Sequence, residues 1–318
     1  MYINDITYAL GSRVVSLESS EIENDVIYFS EKNALIEAGF KQHRVCTHEQ
    51  SAYDLAVEAI TKLQAINADL DTVDVILYAT CLTQNGNLGS SELFSTTKDV
   101  KHLMDFPISH LQADFGLDKA FLMGLNQTAC TSLLGAIRVG NALLKAEDGL
   151  SSILCLTADR FPEGAIYEQG YNVISDGAVA CILNQEQGAF KILACHQISN
   201  GAMAQASDEE TAGFYFNYTY KLLHESVHRA GLDFAQVDWI VPQNVNIKAW
   251  QVLSSLLRFD MEQILMLSRE TVAHCISGDN LINLQLAYEQ GYFKPGDIML
   301  MPMAGFGLNW SCIVLEKT

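Results

Sequence analysis

The sequence is short of cations: 19 Lys and Arg stand against 38 Asp and Glu, a formal net charge of −19 at pH 7. Nucleic acid is excluded as a partner on that ground, because phosphates are neutralised by Lys and Arg. An acidic protein partner would need a local basic patch. Proline is scarce, at five residues in 318, and no stretch is rich in Pro, Gly or Ser, so no long linker is expected. Long apolar runs are also missing, since residues 179–183 and 298–303 are far too short to cross a bilayer. Within residues 1–17, Asp5 and Arg13 stand where a secretory leader would carry a charged start and an apolar core. We therefore expect a cytoplasmic protein with no leader and no membrane contact. None of the eight cysteines forms a CxxC pair, and several sit in apolar runs, which points to buried reduced thiols in place of disulfides or a zinc site.

What the chain has in quantity is core material: 49% of residues are hydrophobic and 18% charged. Short β-branched runs alternate with helical spacing, and such alternation gives sheets covered by helices, an α/β protein. Strands are expected at 73–79, 120–126, 152–157 and 178–183, with a helix at 131–145, and 190–197 continues a sheet. The order then repeats, with helices at 214–230, 247–257 and 279–290 and strands at 239–242, 298–303 and 311–316. The two halves meet near 184–188, giving segments 1–185 and 186–318, without a repeat visible in the residues themselves.

Cys130 lies between a strand and an apolar helix in Leu125-Asn-Gln-Thr-Ala-Cys-Thr-Ser-Leu. Free N–H groups and the macrodipole at a helix start favour a thiolate, which exchanges with thioesters. The same residue also reads as a small core side chain. The surrounding motifs bear on that choice. Thr128-Ala-Cys-Thr-Ser-Leu, Ser175-Asp-Gly-Ala-Val-Ala, Val241-Pro-Gln-Asn-Val-Asn, Lys294-Pro-Gly-Asp and Ala304-Gly-Phe-Gly-Leu-Asn-Trp occur in that order. Together they resemble the β-ketoacyl-ACP synthase III-like family of the thiolase superfamily nearly end to end. The resemblance implies a five-layered αβαβα thiolase fold of two similar halves, an acylated Cys130, and no cofactor. It also implies an oxyanion hole at the glycine loop, Gly305 and Gly307, where glycine permits close backbone approach. The plain alternative for both glycines is a tight turn.

Two departures from the family pattern redirect the chemistry. Gln243 stands where the family has its His, and His274 where it has its Asn, with Asp279 five residues on as in a divergent acyltransferase branch. Gln243 donates a hydrogen bond but moves no proton, whereas His274 can act as a base. Cys130, His274 and Asp279 therefore suit acyl transfer to a hydroxyl, amine or activated carbon. His274 otherwise reads as a core histidine, Asp279 as a helix N-cap, and Asn246 as a residue that orders its loop. Asn33 and Glu37 replace the family's CoA-holding Trp and Arg, which favours a carrier-bound donor over CoA. Lys248, Lys41 and Arg44 are the candidates for meeting an acyl carrier protein, or are solvated surface charges. The resemblance also implies a homodimer, or a heterodimer with a paralogue, and residues 82–118 shaping an acyl tunnel and a dimer face.

Three other functions remain open. One is decarboxylative C–C condensation with Gln243 and His274 sharing the enolate. A second is a non-catalytic partner subunit. The third is a zinc hydrolase built on His224-Glu-Ser-Val-His228, a short pattern that also arises on any wet helix face.

Overall fold

The computed structural model describes residues 1–19, 26–66, 69–170, 172–306 and 308–318. Among them the largest element is a nine-stranded mixed sheet. Its order is Trp239–Ile240, Ile298–Gly305, Asn309–Lys317, Phe190–Ser199, Tyr2–Leu10, Gly177–Asn184, Ser152–Asp159, Val75–Ala79 and Phe121–Leu125. Tyr2–Leu10 pairs along its length with Gly177–Asn184, from Tyr2↔Asn184 to Leu10↔Gly177. It meets Phe190–Ser199 only at Tyr2↔Lys191 and Ile3↔Phe190. The sheet is in effect two sheets joined at one corner, which lets them face each other across a shared layer of helices.

That layering follows from where each helix is apolar. Ser132–Ala146 and Asp279–Glu289 are buried on most sides, as helices between two sheets must be. They share one core cluster with strands from both halves, including Val179, Leu183, Met301 and Ile313. Ala52–Ala65 buries one stripe, Leu55, Ala56, Ala59, Ile60 and Leu63, on the outer face of the first sheet. Asp208–Arg229 and Ile247–Leu257 cover the second sheet from outside through Leu222, Leu223, Trp250 and Leu253. Helix, sheet, helix, sheet, helix makes five layers, the α/β thiolase architecture expected. No helix among the described residues is long and apolar enough to cross a membrane.

Where boundaries differ from expectation, local chemistry explains the change. Asp208–Arg229 starts before residue 214 because Ser207 and Glu210 form a reciprocal capping box. Trp239–Ile240 stops short of 242, where proline has no N–H for a ladder. The strand Tyr2–Leu10, the helix Ala52–Ala65 and the antiparallel pair of Arg13–Ser16 with Gln42–Val45 are additions to the elements read from sequence.

Candidate active site

Cys130 sits in the turn Ala129–Thr131 that opens the helix Ser132–Ala146. Thr131 Oγ1 donates to Thr128 O at 2.7 Å, and Ser132 Oγ donates to Ala129 O at 2.6 Å, so the turn is held by its own side chains. Gln127 and Ala129 adopt φ of 69° and 48°, a region non-glycine residues rarely enter, at about 1–3 kcal/mol each. Ala273 and Ile276, on either side of His274, do the same at 62° and 44°. The Cys130 and His274 side chains are thus both carried next to backbone that only the surrounding packing keeps in place.

The second sheet's loops bring His274 to Cys130. His274 Nδ1 lies 2.5 Å from Asp279 Oδ2, and the ring lines the same cavity wall as Cys130. Asp279 is fully buried and also accepts from Cys275 N at 2.6 Å and Asn244 N at 2.7 Å. Asp279 is the first residue of its helix, and the cap position belongs to Gly278. Its carboxylate is spent on His274 and two backbone donors, which fixes the ring's tautomer and supports its positive form.

The charge balance follows. For Cys130, a hydrogen bond from the Cys81 thiol is the largest influence; burial opposes it, and His274 adds charge and a second hydrogen bond. The net effect draws the thiol down to about 5. Burial alone would depress His274, but Asp279 and the Cys130 sulfur outweigh it and hold the ring up, at about 10. Both shifts run in the direction that favours a thiolate–imidazolium pair.

Gln243 Oε1 accepts from Ala304 N, so the amide is turned with its NH2 outward as a donor. Gly305 packs directly on the Cys130 turn: a Cβ added there would come within 2.9 Å of Cys130 N and Thr128 O. Glycine is therefore needed for close approach. Gly307 lies outside the described residues. Asn246 caps the helix Ile247–Leu257, accepting from Lys248 N at 3.0 Å, and donates its own N–H to Asn172 Oδ1 at 2.9 Å.

Cys130, His274, Gln243, Gly305 and Asn246 share the wall of a cavity of about 620 Å³. Its other walls are largely apolar, with Phe161, Ile166, Tyr215, Phe216, Val252 and Phe306. Lys248 also lines it, with its side chain 66% exposed and its ammonium 4.0 Å from Glu37. Lys41 is ion-paired to Glu270 at 2.6 Å. Arg44 is half-buried with Nε hidden from solvent, and it does not line the cavity. Of residues 82–118, Leu82 lines this cavity. Leu88, Leu93, Val100, Met104 and Phe106 are instead exposed.

Sequence reading passed over Cys81, whose signal was available: like Cys130, it follows the end of an apolar strand. Asp159, 2% exposed, receives Cys81 N at 2.9 Å, Leu82 N at 3.0 Å and Asn85 Nδ2 at 3.0 Å, and so fixes the Cys81 backbone. The His224–His228 turn has other partners. Glu225 lies 2.7 Å from His196 Nε2, and the His224 ring packs between Tyr220 and Phe234 at 4.4 and 4.7 Å. Among the described residues no three His, Cys, Asp or Glu are grouped to hold a metal ion.

Comparison with known proteins adds to this geometry. Residues 227–317 match the family model for the C-terminal part of 3-oxoacyl-[acyl-carrier-protein] synthase III. The β-ketoacyl-[acyl-carrier-protein] synthase III of Aquifex aeolicus is 20% identical over 291 residues, covering 87% of this chain and 88% of that protein. The crystal structure of 3-oxoacyl-[acyl-carrier-protein] synthase III from Aquifex aeolicus VF5 superposes with a TM-score of 0.80 at 17% identity, over 99% of both chains. ChlB3, named as an acyltransferase, gives a TM-score of 0.82 at 18% identity over 99% of this chain and 97% of its own. At these identities the structural likeness establishes the fold.

Proposed function

We propose that this chain, a β-ketoacyl-ACP synthase III-like member of the thiolase superfamily, transfers an acyl group through a thioester on Cys130. The observation that carries the reading is the buried Cys130–His274–Asp279 relay on the wall of an apolar cavity. In the first half, the Cys130 thiolate attacks the carbonyl of an acyl thioester. The Cys130 N–H, beside Gly305, is placed to receive the developing oxyanion. The donor's sulfur leaves and takes the proton held by His274. In the second half the neutral His274 draws a proton from an acceptor hydroxyl, amine or activated carbon as it attacks the acyl carbonyl. Cys130 then departs as thiolate, and the imidazolium is restored.

An acyl-ACP or acyl-CoA supplies the acyl group. Glu37 beside the cavity mouth disfavours the CoA phosphates, and Lys248 is the basic group best placed to meet a carrier protein. Gln243 favours transfer over decarboxylative condensation, since it is held as a donor and shuttles no proton. Eight free cysteines fit a reducing compartment such as the cytoplasm. The exposed edge strand Phe121–Leu125 supports pairing with a second copy or a paralogue.

Intact-protein mass spectrometry after incubation with acyl-ACP and acyl-CoA panels tests the proposal. An acyl adduct on the wild type, absent from Cys130→Ala, is expected. No adduct from any donor would overturn it in favour of a non-catalytic partner subunit. CO2 release from a malonyl thioester would instead support condensation.

A further inference from the structure

Cys81 and Cys130 occupy the C-terminal ends of neighbouring strands. Val75–Ala79 and Phe121–Leu125 run parallel with Ala79 opposite Leu125, and Thr80 N donates to Leu125 O at 3.0 Å. Both segments then turn into the same cavity, whose wall carries Cys81 and Cys130 together. The Cys81 backbone is fixed by the two hydrogen bonds from its N–H to Asp159, at 2.9 and 3.1 Å, so its Cα is held at the cavity wall and only rotation about one side-chain bond positions the sulfur.

We propose that Cys81 is the resolving thiol for Cys130, and that an oxidant of the peroxide class converts the pair to a reversible disulfide that switches the site off. The steps balance as follows. The Cys130 thiolate attacks a peroxide oxygen, breaking the O–O bond; Cys130 becomes a sulfenic acid and the other oxygen leaves as water or an alcohol after taking a proton. Cys81 sulfur then attacks the Cys130 sulfur, the S–S bond forms, and the sulfenic oxygen leaves with the Cys81 proton as water. A small dithiol reductant reverses the state by thiol–disulfide exchange.

Several features favour this pair over other thiols in the chain. Cys155 and Cys181 are also neighbours, directly opposite in the Ser152–Asp159 and Gly177–Asn184 ladder, but both are wholly buried in the sheet. Neither lines the cavity, so no peroxide reaches them. The hydrogen bond to Cys130, burial and the adjacent negative charge all keep the Cys81 thiol protonated while Cys130 is a thiolate. Once Cys130 is a neutral sulfenic acid that charge is gone, and Cys81 gives up its proton more readily. The resting arrangement thus protects the thiolate, and oxidation itself releases the resolving thiol.

The test treats the full-length wild type and Cys81→Ser with a small excess of hydrogen peroxide. Intact mass, digested peptides and iodoacetamide labelling of Cys130 are then read before and after dithiothreitol. The wild type should lose two hydrogens in mass, yield one cross-linked peptide pair containing Cys81 and Cys130, lose labelling, and regain it on reduction. Cys81→Ser should instead gain two or three oxygens on Cys130 and stay unlabelled after reduction. Circular dichroism of that variant establishes that it folds. If it does not, the cross-linked peptide in the wild type decides alone. A wild type that accumulates oxygens on Cys130 without the cross-link, or that pairs Cys130 with another cysteine, overturns the proposal. The readout is independent of acyl transfer, so either reading can fail without the other.

Discussion

At the scale of single residues, the site depends on one ion pair inside an apolar wall. Cys130 is held down at about 5 and His274 up at about 10, so the thiolate–imidazolium pair is expected to persist between those limits. Iodoacetamide labelling of Cys130 measured against pH should rise as pH climbs through the lower value, because the thiolate replaces the thiol. It should change again above the upper value, where the imidazolium loses its proton. Asp279→Asn removes the charge that supports the imidazolium, so the upper limit should move to lower pH; that charge also opposes the Cys130 thiolate, so the lower limit should not rise. The same substitution breaks a buried pair, at a cost of about 3–5 kcal/mol, which thermal unfolding would register separately. For Gly305→Ala, the added carbon drives into Cys130 N, and the acylation rate should fall about 10²–10³-fold, the loss of one oxyanion donor. Labelling by iodoacetamide, which forms no oxyanion, should fall far less; equal losses would mean that the turn itself had moved.

Among the elements, the helix Asp279–Glu289 is the one most tightly specified by polar groups. Asn280 Nδ2 donates to Val241 O at 2.7 Å and Pro302 O at 2.9 Å, binding the helix to the Gln243 segment and to the strand that leads into Gly305. Asn283 extends the same network to Pro242 O, Asn244 and Ser268. Buried networks of this kind are costly to break, since each carbonyl left without a donor costs about 1–3 kcal/mol. Asn280→Ala should therefore lower the denaturant midpoint by an amount equivalent to about 2–5 kcal/mol. It should slow acylation as well, because Gln243 and Gly305 share its supports. A loss of stability with unchanged acylation would show that the segments hold their places without it. The periodicity of this helix made it legible as an element, but its function as a polar clamp was not, because an asparagine's partners are set by strands that arrive from elsewhere in the chain.

For the whole molecule, the sheet edge that is open among the described residues is where association is expected. Phe121–Leu125 pairs on one side only, with Val75–Ala79, and its residues Phe121, Leu122 and Met123 are exposed at 69%, 37% and 41%. Leu88, Leu93, Val100, Met104 and Phe106 add exposed apolar surface from the preceding segment. An apolar edge of this kind is a template for another strand, and a lysine on it is a common block. Light scattering or analytical ultracentrifugation should find the wild type associated and Phe121→Lys shifted towards monomer. A wild type that is monomeric at all accessible concentrations would remove the basis for a dimer.

Much of the fold was legible because it rests on local chemistry. Apolar runs such as 152–157 and 178–183 read as buried strands, and 131–145 as a helix, which the structure forms at Ser132–Ala146. The chain also declared Cys130, His274, Asp279 and Gly305 as candidates through motif order. The choice between Asp279 as cap and Asp279 as partner of His274 was left to tertiary structure, since it depends on how residues 274–279 turn. Folding also decided which lysine reaches the cavity and that Cys81 faces Cys130. Those relations are distances between segments far apart in sequence. Composition and periodicity fix which face of an element is buried, but only the packed layers fix which side chains meet across it.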